Sequence, residues 1–192
     1  MPTQQKVDRV QNIKDRLERS SIVMTTSYAG ISVNQMIELR RAMRATEQGM
    51  QVAVETIKAA QVRDQTLYWE GKVLTSERLR QMIHLQLLQL DCMAQHTIVA
   101  GGTDGCDPHQ EGSGPLRVGE PIIIDIFPRE AASGYFGDIT RTVCKGTAPG
   151  ALRTLYDVVH RGQQLALEQI CLSITGKQAI YCSTPMALKN SE

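Results

Sequence analysis

An α+β fold is predicted for this chain of 192 residues, on three observations. Two β-rich runs, Pro121–Phe127 (PIIIDIF) and Gly137–Lys145 (GDITRTVCK), are joined by a segment long enough for a wide hairpin. Apolar residues at helical spacing mark helices on both sides of them. Helices, then a mostly antiparallel sheet, then a return helix is the order of an α+β domain.

The first 45 residues read as helix, strand, helix. Val7, Val10, Ile13 and Leu17 recur at helical spacing, with Lys6, Arg9, Lys14, Arg16 and Arg19 on the exposed sides. Ser21–Tyr28 (SIVMTTSY) is a short β-rich run closed by Gly30. Ser32, followed three residues later by Gln35, is a capping box that opens a second helix through Met36, Ile37, Leu39 and Met43. Arg44–Gln61 continues helically along Met50, Ala53, Val54, Ile57 and Ala60, so Val33–Gln61 can run as one helix. Thr75 caps a further helix, Ser76–Asp91. His96–Gly101 reads as a strand, Gly101–Gly114 as a long loop bearing Gly and Asp, and about Ala151 to Ile170 as the return helix.

Composition bounds the function classes. With 42% hydrophobic residues the chain can bury a core, although aromatics are scarce at 4%. Its length predicts one domain, or one and a fraction. A net charge of +1 gives no global field for nucleic acid or membrane. The charge is nevertheless uneven: residues 1–45 hold eight Lys/Arg against four Asp/Glu, and the remainder thirteen against sixteen. Five cysteines, odd in number and without CxxC spacing, read as reduced thiols. No N-terminal apolar stretch of the secretory kind and no run of 18 apolar residues is present, so a cytoplasmic chain away from the membrane is expected.

The chemistry concentrates on Asp125 and Asp138. A carboxylate inside an apolar run needs a partner, because burying it ionised and alone costs several kcal/mol. If the two runs pair antiparallel, both carboxylates point to one face, close enough to share a cation. Plain structural roles compete elsewhere. His84, His96 and His160 read as surface or hydrogen-bonded residues, Cys106 as a small filler, and Asp138 with Arg141 as a structural ion pair.

Two resemblances divide the chain. Residues 1 to about 43, with their MPTQ start, basic helix, short strand and GISVNQMIELRR, resemble the N-terminus of the bacterial ribosomal stalk-base protein. That resemblance implies ribosomal RNA as a partner through basic residues, with no individual RNA-binding residue assigned. Residues of roughly 40–171 resemble the pita-bread metallopeptidases, which include Xaa-Pro aminopeptidases, prolidases, methionine aminopeptidases and creatinase. The matching stretches are IVAGGTDGCDPHQEGSGPLRVGEPIIIDIFP and SGYFGDITRTVCKG.

The second resemblance implies a dinuclear divalent metal site (Mn, Co or Zn) held by two Asp, one His and two Glu in that order. Asp125 matches the first Asp and Asp138 the second, which bridges both ions. His109 of the D-P-H loop matches a histidine near the reacting carbonyl, and Arg141 an arginine that orients the ligand. The implied substrate is a peptide with proline at its second position, and a homo-oligomer is compatible.

The later His and two Glu find no match, and CLSITGKQAIYCSTPMALKNSE departs from the pattern. The expectation is therefore a truncated pita-bread domain (44–171) with a helix–strand–helix appendage (1–43) and an atypical tail (172–192). It keeps two of five metal ligands and has impaired catalysis. The alternatives are a ribosomal RNA-binding protein or a non-functional chimera, joined at Glu38–Arg44 where ELRRAMR suits both resemblances.

Overall fold

Ser32 and Gln35 form the reciprocal cap expected of them. The Ser32 N–H donates to Gln35 Oε1 at 2.9 Å, and the Gln35 N–H donates to Ser32 Oγ at 3.2 Å. In this computed structural model, which describes residues 3–19 and 30–169, that cap opens a single long helix. The described elements are α1 (Gln4–Arg19), α2 (Val33–Ala59), β1 (Gln61–Arg63), β2 (Thr66–Trp69), β3 (Lys72–Val73), α3 (Ser76–Leu88), β4 (Cys92–Met93) and β5 (Ile98–Gly101). A 3₁₀ turn (Gly102–Cys106) follows, then β6 (Pro121–Ile126), β7 (Arg129–Glu130), β8 (Ile139–Cys144) and α4 (Gly150–Gln169). The chain divides into two compact units, Met1–Met36 and Ile37–Glu192. The expected strand Ser21–Tyr28 and the tail 172–192 lie outside the described residues.

In the first unit α1 carries Val7, Val10 and Ile13 as an exposed apolar stripe at helical spacing. Two pairs of its polar side chains brace it at i, i+4: Gln4 donates to Asp8, and Gln11 donates to Asp15.

The second unit is built on three small antiparallel sheets: β1–β2–β3, β4–β7 and β5–β6–β8. The first was not anticipated from the sequence. Its two hairpin turns are Asp64–Gln65 (φ 46° and 62°) and Glu70–Gly71 (φ 49° and 74°), two-residue turns whose left-handed backbone matches strand twist. Thr75 caps α3 as expected, its hydroxyl accepting from the Arg78 N–H. The helix stops at Leu88 rather than Asp91, which adopts φ 55° and turns the chain toward β4. β5 likewise starts at Ile98 rather than His96, whose φ is 56°.

The core lies between α2, α3 and one face of the largest sheet. Ala53 and Ile57 of α2, Leu79, Ile83 and Leu87 of α3, and Val99, Ile122, Ile124 and Ile126 of the sheet are all fully buried. Each large aliphatic buried in this way stabilises the fold by about 1.5–3 kcal/mol. Gly49 lets α3 approach α2, since a Cβ there would already lie 3.2 Å from Leu87 Cδ2. Strict alternation along β6 puts Ile122, Ile124 and Ile126 on the core face. The other face of the sheet therefore carries Ile98, Ala100, Ile123 and Asp125.

Candidate metal and peptide site

Strand register brings the two aspartates to one face. Asp125 of β6 lies opposite Thr140 of β8, and Ile126 lies opposite Ile139. Asp138 precedes β8 by one residue, so it falls on the same side as Thr140, two positions along. Diagonal neighbours of this kind sit roughly 7–8 Å apart. The register sets Asp138 diagonally across from Asp125, and each carboxylate lines a cavity of its own. Their burial differs from expectation: Asp125 is half-buried and Asp138 exposed. The reason is that neither is packed into the core: Asp125 faces a cavity under the Gly105 to Pro108 loop, and Asp138 an open cleft beside α2.

Two cavities flank the pair. One of about 360 Å³ is lined by Asp125 and Thr140, by Ile98, Ala100 and Ile123 of the sheet, and by Gly105 to Pro108 of the preceding loop. The other, an open cleft of about 560 Å³, is lined by Asp138, Thr140 and Arg141 together with Leu39, Met43, Thr46 and Glu47 of α2. Thr140 is the wall they share. Its hydroxyl donates to Asp125 Oδ1 at 2.5 Å. The sequence offered a signal for it, two residues after Asp138, but not the register that sets it opposite Asp125.

The loop forming the first cavity is held from outside. Arg80 of α3 donates to the carbonyl oxygens of Glu111 and Gly112, and the Val99 N–H donates to the Glu111 carbonyl at 2.9 Å. Gly112 (φ 84°) passes so close to β5 that a Cβ would meet the Val99 carbonyl oxygen at 1.9 Å. Within this loop the His109 N–H donates to Asp107 Oδ1 at 2.9 Å. His109 itself is exposed, and the cavity is lined by its neighbours Asp107 and Pro108 instead.

Arg141 is also exposed and lies opposite Ile124, on the other side of β8 from Asp125. Its guanidinium donates to the Thr140 carbonyl at 2.7 Å. It shares the open cleft with Asp138, yet no ion pair joins the two among the described residues. The plain structural pairing considered for them is therefore not formed.

The remaining histidines take up the bland roles. His84 Nε2 bonds Thr97 Oγ1 at 2.9 Å, and desolvation, with Arg80 nearby, pushes its pKa down. His96 Nδ1 meets Glu111 Oε1 at 3.0 Å, and His160 stacks on Tyr156. Glu130, within the segment expected to form a wide hairpin turn, is a buried carboxylate at 2% exposure. It accepts from the Ser133 N–H at 2.6 Å and faces Arg41 at 3.9 Å.

Two aspartates flanking a threonine hydroxyl form an all-oxygen donor set suited to a hard divalent cation. It is a partial set. Among the described residues no three His, Cys, Asp or Glu side chains come together as a metal-binding group.

The sequence profile of metallopeptidase family M24 matches residues 37–180. The chain belongs to metallopeptidase family M24. The match runs nine residues past Cys171, so the family pattern reaches into the segment 172–192 expected to be an atypical tail.

Solved structures similar to this chain are pita-bread aminopeptidases and their kin. Aminopeptidase P from Escherichia coli, in complex with substrate, is 26% identical with a TM-score of 0.56, covering 72% of this chain and 29% of that one. The X-Pro aminopeptidase of Thermotoga maritima MSB8 (20% identical, TM-score 0.63, 80% and 40% covered) shares the fold. So does the dipeptidase PepE of Mycobacterium ulcerans (20%, 0.61, 88% and 41%). The fold is thus a truncated pita-bread domain.

A further similarity is to large ribosomal subunit protein uL10 of Roseiflexus castenholzii, 36% identical over 64 residues, which is 33% of this chain and 34% of that protein. A 64-residue match is longer than the 43 residues on which the stalk-base resemblance rests. The chain spans about a third of the curated relatives it matches, and 29–41% of these three solved structures.

Proposed function

We propose that this chain carries the first half of the metal site of an Xaa-Pro aminopeptidase-like metallopeptidase, with Asp125 and Asp138 as its carboxylate ligands. The observation that supports this reading is the β6–β8 register, which sets both on one sheet face with a cavity beside each. When bound, divalent ions (Mn, Co or Zn) would supply Lewis-acid polarisation of the scissile carbonyl and an acidified water. This chain's residues hold and orient. The two aspartates would hold the cations, His109 of the D-P-H loop would act on the reacting carbonyl, and Arg141 would orient a peptide with proline at its second position across the open cleft. Residues 44–171 form the peptidase part of this proposal.

Taken as a separate polypeptide, the 192 residues supply two of the five ligands that the family resemblance implies, so metal is held weakly and turnover is impaired. The test is Mn²⁺ binding to the purified chain, followed by electron paramagnetic resonance of the free ion. A dissociation constant in the range of about 0.1–1 mM, lost in Asp138→Asn, supports the reading. Binding unchanged by that substitution sinks the ligand assignment, and hydrolysis of an Xaa-Pro dipeptide by the same chain sinks the impairment. A cytoplasmic location belongs to the proposal, supported by the unpaired thiols of Cys92, Cys106 and Cys144.

The uL10 similarity supports a second reading, ribosomal RNA binding through residues 1–43. Its signature is an affinity for stalk-base RNA that falls steeply with salt. Absence of binding at low salt would end it.

A further inference from the structure

Thr140 is placed to act on Asp125. Three observations single it out. The register sets it directly across from Asp125. Its hydroxyl donates to Asp125 Oδ1 at 2.5 Å, the short distance of a charge-assisted O–H···O⁻ bond. It is also the residue common to the linings of both cavities.

A carboxylate on a strand can rotate about two side-chain bonds, and a cation must stop that rotation when it binds. A donor already fixed to one oxygen removes part of that entropic cost and aims the remaining lone pairs. The anchor itself is rigid. Thr140 is β-branched, with restricted χ1, and its backbone is held in the β6–β8 ladder. The hydroxyl also has no competing acceptor among the described hydrogen bonds. By contrast, Asp138 has no such donor recorded on it among the described residues, although it lies on the same face.

We infer that Thr140 is a positioning residue for the metal site, which pre-orients the Asp125 carboxylate through its hydroxyl so that Asp125 is the better-ordered ligand of the pair. The inference rests on the assignment of Asp125 and Asp138 as metal ligands and deepens it. It makes Thr140 a determinant of cation affinity through Asp125. Orienting partners of this kind are typically worth 10–100-fold in metal affinity.

The experiment compares Mn²⁺ binding to the full 192-residue chain in wild type, Thr140→Val, Thr140→Ser and Asp125→Asn, by electron paramagnetic resonance of free and bound Mn²⁺. Valine keeps the branched shape and the strand but loses the hydroxyl, whereas serine keeps the hydroxyl. The expected result is about tenfold weaker binding in Thr140→Val, near wild-type binding in Thr140→Ser, and binding abolished in Asp125→Asn. Thermal melting without metal, followed by circular dichroism, shows each variant folded. If Asp125→Asn abolishes binding and Thr140→Val leaves it unchanged, the positioning role is overturned while the ligand assignment stands. If Asp125→Asn also leaves binding unchanged, the ligand assignment itself fails. Equal weakening by valine and serine would show a packing effect and likewise overturn the role given to the hydroxyl.

Discussion

Gly137 fixes where Asp138 begins. A Cβ at this position would sit 1.9 Å from Thr46 Oγ1 and 2.9 Å from the Ala42 carbonyl oxygen, so the chain passes directly over α2 just before the carboxylate. Gly137 is not among the left-handed glycines, which makes close contact the reason for it and not backbone freedom. Gly137→Ala is expected to cost about 1–3 kcal/mol by overpacking, read as a lowered urea midpoint. At this scale the sequence was informative about residue type and silent about contact. Asp125 and Asp138 stood out because carboxylates are out of place in β-rich runs. Thr46 did not, since a threonine in a helix is unremarkable until its neighbour across the gap is known, and Thr140 was marked by its place after Asp138 but not by its partner.

Among the elements, the β4–β7 pair shows how a short ladder is locked. Two register pairs, Cys92 with Glu130 and Met93 with Arg129, are too few to hold a ribbon by themselves. Glu130 completes it. The Ser133 hydroxyl and N–H both bond its carboxylate and hold its pKa below the ordinary 4.5. A carboxyl whose folded value is depressed contributes stability above its ordinary value, and that contribution is lost as the pH falls through the lowered one. Urea unfolding of wild type should therefore weaken on acidification below about pH 4.5. In Glu130→Gln that dependence should be shallower; identical pH profiles would contradict the lock. Helices were legible because their signals are local: the Ser32–Gln35 box and the Thr75 cap lie within four residues of what they cap. The strands β1 to β3 were missed because two- to four-residue strands carry almost no periodicity, and their turns use Asp64–Gln65 and Glu70–Gly71 rather than the strongest Asn-Gly signal.

In the second unit, the buried side chains of β6 and the Asp125 cavity occupy opposite faces of one sheet, whereas Asp138 lies beside α2. Ile122, Ile124 and Ile126 face α2 and α3, while Ile123 and Asp125 face the cavity. If the proposed cation binds at Asp125, its binding and folding are expected to be separable, unlike in small domains whose only core is the metal. Treatment with a chelator should leave the thermal melting curve unchanged; a fall of several degrees would show that a bound cation is part of the scaffold. The α+β class and the pita-bread likeness were legible because GDITRT and DPH keep their order and spacing along the chain. The continuation of the family pattern to residue 180 was not, because Cys171–Ile180 has neither a carboxylate nor a histidine to mark it.

The antiparallel ladder between β6 and β8 acts as the ruler of this site. Twelve residues separate Asp125 from Asp138 along the chain, but their distance in space follows from the pairs Asp125–Thr140 and Ile126–Ile139. Each aspartate is addressed by counting rungs, and a one-residue slip would send either to the wrong face. The segment between them, which carries β7 and its Glu130, does not enter that count. Chains that share this site are therefore better recognised by the count from each aspartate to the ladder than by the gap between the two.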